Sequence, residues 1–131
     1  MVQSHGRSRR TKTGAKLKKF RKKRKYELGR PPIETKLGRK RNKTTRTRGG
    51  NFKIKLYSGN TVNVADPKTK EIKNVRIKNV EHNDCSIDYS RRSIITKGAI
   101  VETELGFVKI TSRPGQHGIL NGVLIDYKKA K

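Results

Sequence analysis

The sequence has no tryptophan, one cysteine, one methionine and only three Phe and four Tyr in 131 residues. Acidic residues are also scarce: ten Asp+Glu face 35 Lys+Arg, a net charge of +25. Each shortage excludes something. A lone Cys85 allows no intramolecular disulfide and fits a reducing compartment, and its best reading is a small buried hydrophobe. The longest apolar runs, AIV (99–101) and VLI (123–125), fall far short of the ~20 residues of a membrane-spanning helix, and no membrane partner is expected. The opening MVQSHGRSRR has no apolar stretch after it, so a signal peptide is not expected. The few acids argue against a free cytosolic enzyme, because one-signed charge opposes compaction unless a polyanion offsets it.

Catalytic and metal chemistry finds little material. His5, His82 and His117 are the only histidines. His82, Asp84, Cys85 and Asp88 form the one cluster of ligand types, but without a CxxC, an HExxH or a second cysteine it reads as a polar turn between strands. No GxxxxGK[ST] offers a phosphate cradle. No catalytic residue, metal, cofactor or small-molecule substrate is expected.

What remains is divided near residue 50. Residues 1–50 hold 20 Lys/Arg against Glu27 and Glu34, with six Ile, Leu, Val or Phe; residues 51–131 hold 15 Lys/Arg, eight acids and 23 of those apolar residues. The first part is below the roughly 20% apolar content that supports a core; the second, though small, can bury one. The division implied is a basic N-terminal extension at 1–43, a folded domain at 44–127 and a basic tail at 128–131.

Within the folded part the apolar period is two. FKIKLY (52–57) sets Phe52, Ile54 and Leu56 on one face and Lys53, Lys55 and Tyr57 on the other; TVNVAD (61–66) and FVKITS (107–112) repeat the alternation through Val62, Val64, Val108 and Ile110. EIKNVRIKNVEHN (71–83) slips phase between Val75/Ile77 and Val80, which predicts a bulge or bend. Turn chemistry falls at 58–60, 66–70, 97–98, 105–106 and 113–118, and Asn121-Gly122 is the strongest hairpin signal. Six or seven short strands with almost no helix predict an all-β fold: a small closed or nearly closed antiparallel β-barrel, with a sandwich as the alternative. The extension is predicted to be largely irregular, with at most one short helix over 19–28, ended by Gly29, Pro31 and Pro32. Its like charges at i,i+4 let that helix form only where a polyanion screens them. KTTRTRGG (43–50) is either an extended arm or the first barrel strand.

KLKKFRKKRK (16–25), flanked by RSRR (7–10) and GRKRNKTTRTR (38–48), carries the main functional signal. A nuclear-import tag or solvated charge run explains a short stretch, not basic residues continued over some fifty positions. Lys and Arg beside phosphates release condensed counterions, so the candidate RNA-binding residues are Arg7, Arg9, Arg10, Lys12, Lys16, Lys18, Lys19, Arg21, Lys22, Lys23, Arg24, Lys25, Arg30, Lys36, Arg39, Lys40, Arg41, Lys43, Arg46 and Arg48. Arg113, with Gln116 and His117, is a rival contact in a segment whose plainer reading is a Pro/Gly loop. Gly14, Gly29, Gly38, Gly49 and Gly50 let the backbone bend against an irregular polyanion. RNA is favoured over DNA because no helix-turn-helix, zinc-finger or heptad pattern reads a major groove. Phe20 and Tyr26 are placed to stack on unpaired bases, or simply to pack.

RTKTGAKLKKFRKKRKYELG (10–29), continued by RPPIETKLGRKR (30–41), closely resembles the N-terminal signature of the ribosomal protein S8e family of the archaeal and eukaryotic small subunit. KGAIVETELGFVKITSRPGQHGILNGVLI (97–125) resembles its short, archaeal form, so the likeness covers nearly the whole chain. The resemblance implies a cytoplasmic structural protein of the small ribosomal subunit that binds 16S-type rRNA, with neighbouring ribosomal proteins as further partners, a basic extension threaded into RNA and a β-barrel body. The insertion of eukaryotic members is absent, so its contacts do not carry over. A related large-subunit assembly factor shares part of the signature, which leaves a pre-rRNA-binding assembly factor as the alternative.

Overall fold

The computed structural model describes residues 3–127. The chain separates into two compact units, Met1–Pro32 and Ile33–Lys131, taken here one at a time.

In the first unit, β1 (Gln3–Ser4) pairs antiparallel with β2 (Leu28–Gly29), and the His5 N–H donates to the Glu27 carbonyl at 2.9 Å. A second hairpin-like closure joins the Leu17 N–H to the Arg9 carbonyl (2.8 Å) and the Thr11 N–H to the Ala15 carbonyl (2.9 Å). Its tip turns at Gly14, whose φ of +87° favours a residue without a β-carbon. Where 19–28 reads as a short helix, a single 3₁₀ turn stands at Lys25–Glu27, and residues 17–24 have no regular structure. Eight basic residues in the ten at 16–25 put like charges on adjacent helical turns, and no burial offsets that repulsion: no residue from 5 to 32 is buried.

The second unit runs β3 (Thr35–Leu37), β4 (Arg41–Arg46), β5 (Phe52–Gly59), β6 (Thr61–Ala65), β7 (Ile72–His82), α1 (Ile87–Arg91), β8 (Ile94–Ile95), β9 (Ile100–Thr103), β10 (Gly106–Ile110), α2 (Pro114–His117) and β11 (Asn121–Leu124). Five strands close a barrel in the order β10-β11-β6-β7-β9, and β4-β5-β3-β8 form a four-stranded sheet. The all-β reading holds, and among the described residues no helix is long and apolar enough to cross a membrane. The barrel is not wholly antiparallel, however. Four of its pairings are, but β11 and β6 run parallel, with Asn121 opposite Asn63 and Gly122 opposite Val64. The reason is parity: directions cannot alternate around a ring of five, so at least one neighbouring pair must run the same way.

The barrel interior follows the period-two pattern. Val62 and Val64, Val75 and Ile77, and Val108 and Ile110 are buried together with Val80, Ile95, Val101 and Leu120. The slip read in β7 is real, with register shifts against β9 between Ile77 and Asn79 and between Val80 and His82. In β5 the alternation predicts three inward residues, yet only Leu56 is buried; Ile54 and Phe52 are 44% and 68% exposed. That strand lies in the four-stranded sheet, and of its apolar residues only Leu56 belongs to the core.

Two turn readings are corrected. Asn121-Gly122 makes no hairpin: both residues lie inside β11. Gly122 is there for space, since a β-carbon would fall 2.4 Å from Val108 Cγ1 and 2.8 Å from the Lys109 carbonyl oxygen. Gly122→Ala is therefore expected to destabilise the fold by about 1–3 kcal/mol, the usual cost of overpacking, which thermal denaturation followed by circular dichroism will measure. RPGQHG (113–118) is not a plain loop but helix α2, with Pro114 at its start and Gly118 in the left-handed conformation (φ +76°) at its end. The composition boundary at 43/44 falls within β4, while β3 lies between β5 and β8 with the Thr35 hydroxyl, buried, donating to the Leu56 carbonyl at 2.7 Å.

Candidate nucleic-acid interface

In the first unit, Arg7, Arg9, Arg10, Lys12, Lys16, Lys18, Lys19, Arg21, Lys22, Lys23, Arg24, Lys25 and Arg30 are all exposed. Several of them, Arg7, Arg9, Lys18, Lys19, Arg21, Lys22 and Lys23, line one cleft of about 330 Å³ with Phe20 and Glu27. Two arginines have structural duties. The Arg10 guanidinium donates to the Gly14 carbonyl at 2.7 Å and holds the tip closed. Arg21 forms a two-pronged ion pair with Glu27 and lies 5.1 Å from the centre of the Phe20 ring. The Arg21 hydrogen bond and then the Arg24 N–H hold the Glu27 carboxyl below the usual carboxylate range, and Glu27 in turn raises Arg21.

In the second unit, Lys36, Arg39, Lys40, Arg41, Lys43, Arg46, Arg48 and Arg113 are likewise exposed. The β4–β5 hairpin orders them. Its register sets Lys43 opposite Lys55, Thr45 opposite Lys53 and Arg46 opposite Phe52. Directly opposed residues share a face, so Lys43, Lys53 and Lys55 gather on one side, where the Arg41 guanidinium lies 5.9 Å from the centre of the Tyr57 ring. Like charges facing each other across a ladder oppose folding, and a bound polyanion removes that penalty. Lys53 and Lys55 are the residues that sequence reasoning missed. They sit in a segment read as a barrel strand, although their alternation beside the 41–48 run was the available signal.

The second N-terminal acid, Glu34, is also engaged. Arg92 pairs with it and with Asp88, the latter at 3.2 Å, and the Asp88 hydrogen bond, followed by Glu34, raises the arginine. Both acids of the first fifty residues are thus held by arginines and offer little opposition to phosphate. The next acid after Glu34 is Asp66; between them, residues 35–65 hold nine Lys/Arg and no acid. Asp66, Glu71, Glu104 and Asp126 lie in or beside the β6–β7 and β9–β10 turns and the end of β11, which strand direction puts at one barrel end. There the Lys68 N–H, first among its donors, lowers Asp66, while Glu71, 2.9 Å away, raises Lys73.

Of the turn glycines, Gly14, Gly38, Gly49 and Gly50 have positive φ, whereas Gly29 is in β2, where a β-carbon would strike the His5 ring. Arg113 is exposed, while Gln116 accepts from Lys53 Nζ at 3.1 Å and His117 Nδ1 accepts from the Arg113 N–H at 3.4 Å. The His82 cluster is a structural turn. His82 and Asp84 pair at 2.9 Å, and among the described residues no group of three or more His, Cys, Asp or Glu is placed to hold a metal. Cys85 is exposed rather than buried, because Asn83 takes the interior position: it is buried, donates to the Ile94 carbonyl at 2.9 Å and accepts from the Cys85 N–H and the Thr96 hydroxyl at 3.1 and 3.0 Å.

A closed barrel with a basic, acid-free hairpin, in a chain whose other unit carries thirteen exposed Lys/Arg against one acid, defines a class: a small basic β-barrel protein built for binding rather than catalysis. Residues 4–125 match the family model of ribosomal protein S8e, and the chain belongs to that family of structural, non-enzymatic proteins. Relatives named small ribosomal subunit protein eS8 are similar over almost their whole length. That of Methanobrevibacter smithii is 51% identical over 125 residues, 95% of this chain and 100% of the relative. That of Methanococcus aeolicus is 53% identical over 122 residues (92% and 95%), and that of Nanoarchaeum equitans 52% over 120 residues (92% and 94%).

Proposed function

We propose that this protein is a structural constituent of the small ribosomal subunit in the cytoplasm. It binds 16S-type rRNA through a basic N-terminal extension, read from the sequence as residues 1–43, and a β-barrel body, read as 44–127, whose sheet also takes in β3 and the start of β4 from that first stretch; the basic tail read at 128–131 lies outside the described residues. Its partners are small-subunit rRNA and neighbouring ribosomal proteins. The observation that carries this reading is the first unit: thirteen Lys/Arg surround a single acid, Glu27, which is itself paired to Arg21, and none of these side chains is buried. A peptide of that kind gains shape and stability from phosphates, each contact releasing counterions. Lys and Arg on phosphates read no sequence, so specificity comes from RNA shape. The names of the relatives support the same assignment.

Quantitative mass spectrometry of purified mature small subunits tests it. About one copy per particle is expected. Occurrence on assembling particles alone would replace the structural role with that of an assembly factor.

A further inference from the structure

The β4–β5 hairpin has a second face with a use of its own. Phe52, Ile54 and Leu56 alternate along it. Leu56 is buried, and Ile54 passes so close to Gly118 that a β-carbon there would fall 2.3 Å from Ile54 Cγ2. Phe52 continues the same face past the end of this packing and is 68% exposed. Directly opposite it on β4 is Arg46. The ring is not on a loose end: the Thr47 N–H and hydroxyl donate to the Asn51 carbonyl at 2.7 and 3.0 Å, and the bend between them turns through Gly49 and Gly50, both at positive φ. An exposed apolar ring is thus carried on an anchored hairpin, cross-strand from an arginine, in a segment without acids.

We propose that Phe52 stacks on an unpaired base of the RNA, a bulged or looped-out nucleotide, with Arg46 on the adjoining phosphate. This deepens the RNA-binding reading above and rests on it. The chemistry favours a nucleotide over a protein partner. A free nucleotide offers a π-face and a phosphate side by side, whereas a protein would have to present an apolar socket ringed by acids. A fully paired duplex hides its base faces, so Phe52 discriminates unpaired from paired RNA. The opposite, lysine-bearing face of the ribbon does not.

The two faces are separable by experiment on the full chain with two probes: an RNA duplex of about 20 base pairs, and the same duplex carrying one unpaired adenosine. Phe52→Ala is expected to weaken the bulged complex by roughly 5- to 150-fold, the range for one lost aromatic–base stack, while duplex affinity and the salt dependence of binding stay put. Phe52→Tyr should restore the preference. Because the chain has no tryptophan, Phe52→Trp supplies a single indole whose emission the bulged RNA should quench at saturation and the duplex should not. Neutralising the other face (K43Q, K53Q, K55Q) should weaken both complexes alike. Equal behaviour of Phe52→Ala and the parent chain on both probes overturns stacking and leaves RNA binding intact, as does an equal loss on both. If Phe52→Ala keeps its RNA affinity but loses a neighbouring protein from the assembled particle, the ring is a protein contact and the proposal falls. Absence of salt-sensitive binding by the parent chain to either probe removes the RNA reading itself.

Discussion

Removal of residues 1–32 is expected to flatten the salt dependence of rRNA binding by about 4–6 in the slope of log K against log salt, if roughly half of the thirteen basic residues there meet phosphate. A change of that size corresponds to several orders of magnitude in affinity near physiological salt. The truncated protein should still fold, because every residue of the barrel's buried cluster lies beyond the cut. Cutting instead after residue 43 is expected to give a different result. It removes β3 from between β5 and β8, takes the first half of β4, and leaves the Leu56 carbonyl without the Thr35 hydroxyl. The longer deletion should therefore lose its cooperative thermal transition, so that weak binding by it says nothing about the extension. Filter binding across a salt series, paired with thermal melts of both truncations, reads out the two effects. An unchanged slope after the 1–32 deletion would sink the electrostatic role.

Asn83→Ala is expected to destabilise the second unit by about 2–4 kcal/mol, since buried polar groups left without partners cost about 1–3 kcal/mol apiece. The amide serves three groups at once: the buried Ile94 carbonyl and, half-buried, the Cys85 N–H and the Thr96 hydroxyl. Its own backbone N–H donates to the Ser90 hydroxyl oxygen at 2.8 Å, which ties the end of β7 to α1. At about 4–8 °C per kcal/mol for a domain of this size, the melting temperature should drop by about 8–32 °C. Asn83→Asp keeps the acceptor and loses the donor, so it should fall between the parent and Asn83→Ala. A loss under half a kcal/mol for the alanine variant would show that water replaces the amide at this corner.

Much of the body was legible because a half-buried strand writes its period into the chain. Val62/Val64, Val75/Ile77 and Val108/Ile110 alternate and are buried, and the phase slip toward Val80 marks a real irregularity. Other features answer to forces with no local signature. The parallel seam between β6 and β11 follows from strand number, which is known only once the ring is drawn. Asn121-Gly122 has strong turn propensity, but tight packing on Val108 overrides it. The helix α2 is too short for periodicity to register, although Pro114 at its first turn and Gly118 beyond its last are ordinary end signals. Strand β3 was hidden by its length, TKL being three residues, and β4 was legible only as one of two readings of 43–50, arm or strand, because RNKTTR has no apolar residue at all. The candidate interface shows the same limits. Abundant cations were readable, but the gathering of Lys43, Lys53 and Lys55 on one face depends on a register that composition does not contain.

The seam also orders events in time. Asn63 and Asn121 are bonded through their side-chain amides at 3.0 Å, and Asn74 continues the chain of amides to Asn63 at 2.6 Å. The first of these links spans 58 positions, and β11 is synthesised after every other strand of the barrel. During translation, which proceeds from the N-terminus, the cationic leading segment therefore emerges while the barrel still gapes between β6 and β10. In a nascent chain of this design the basic segment is made before an interior exists, and β11 shuts the ring.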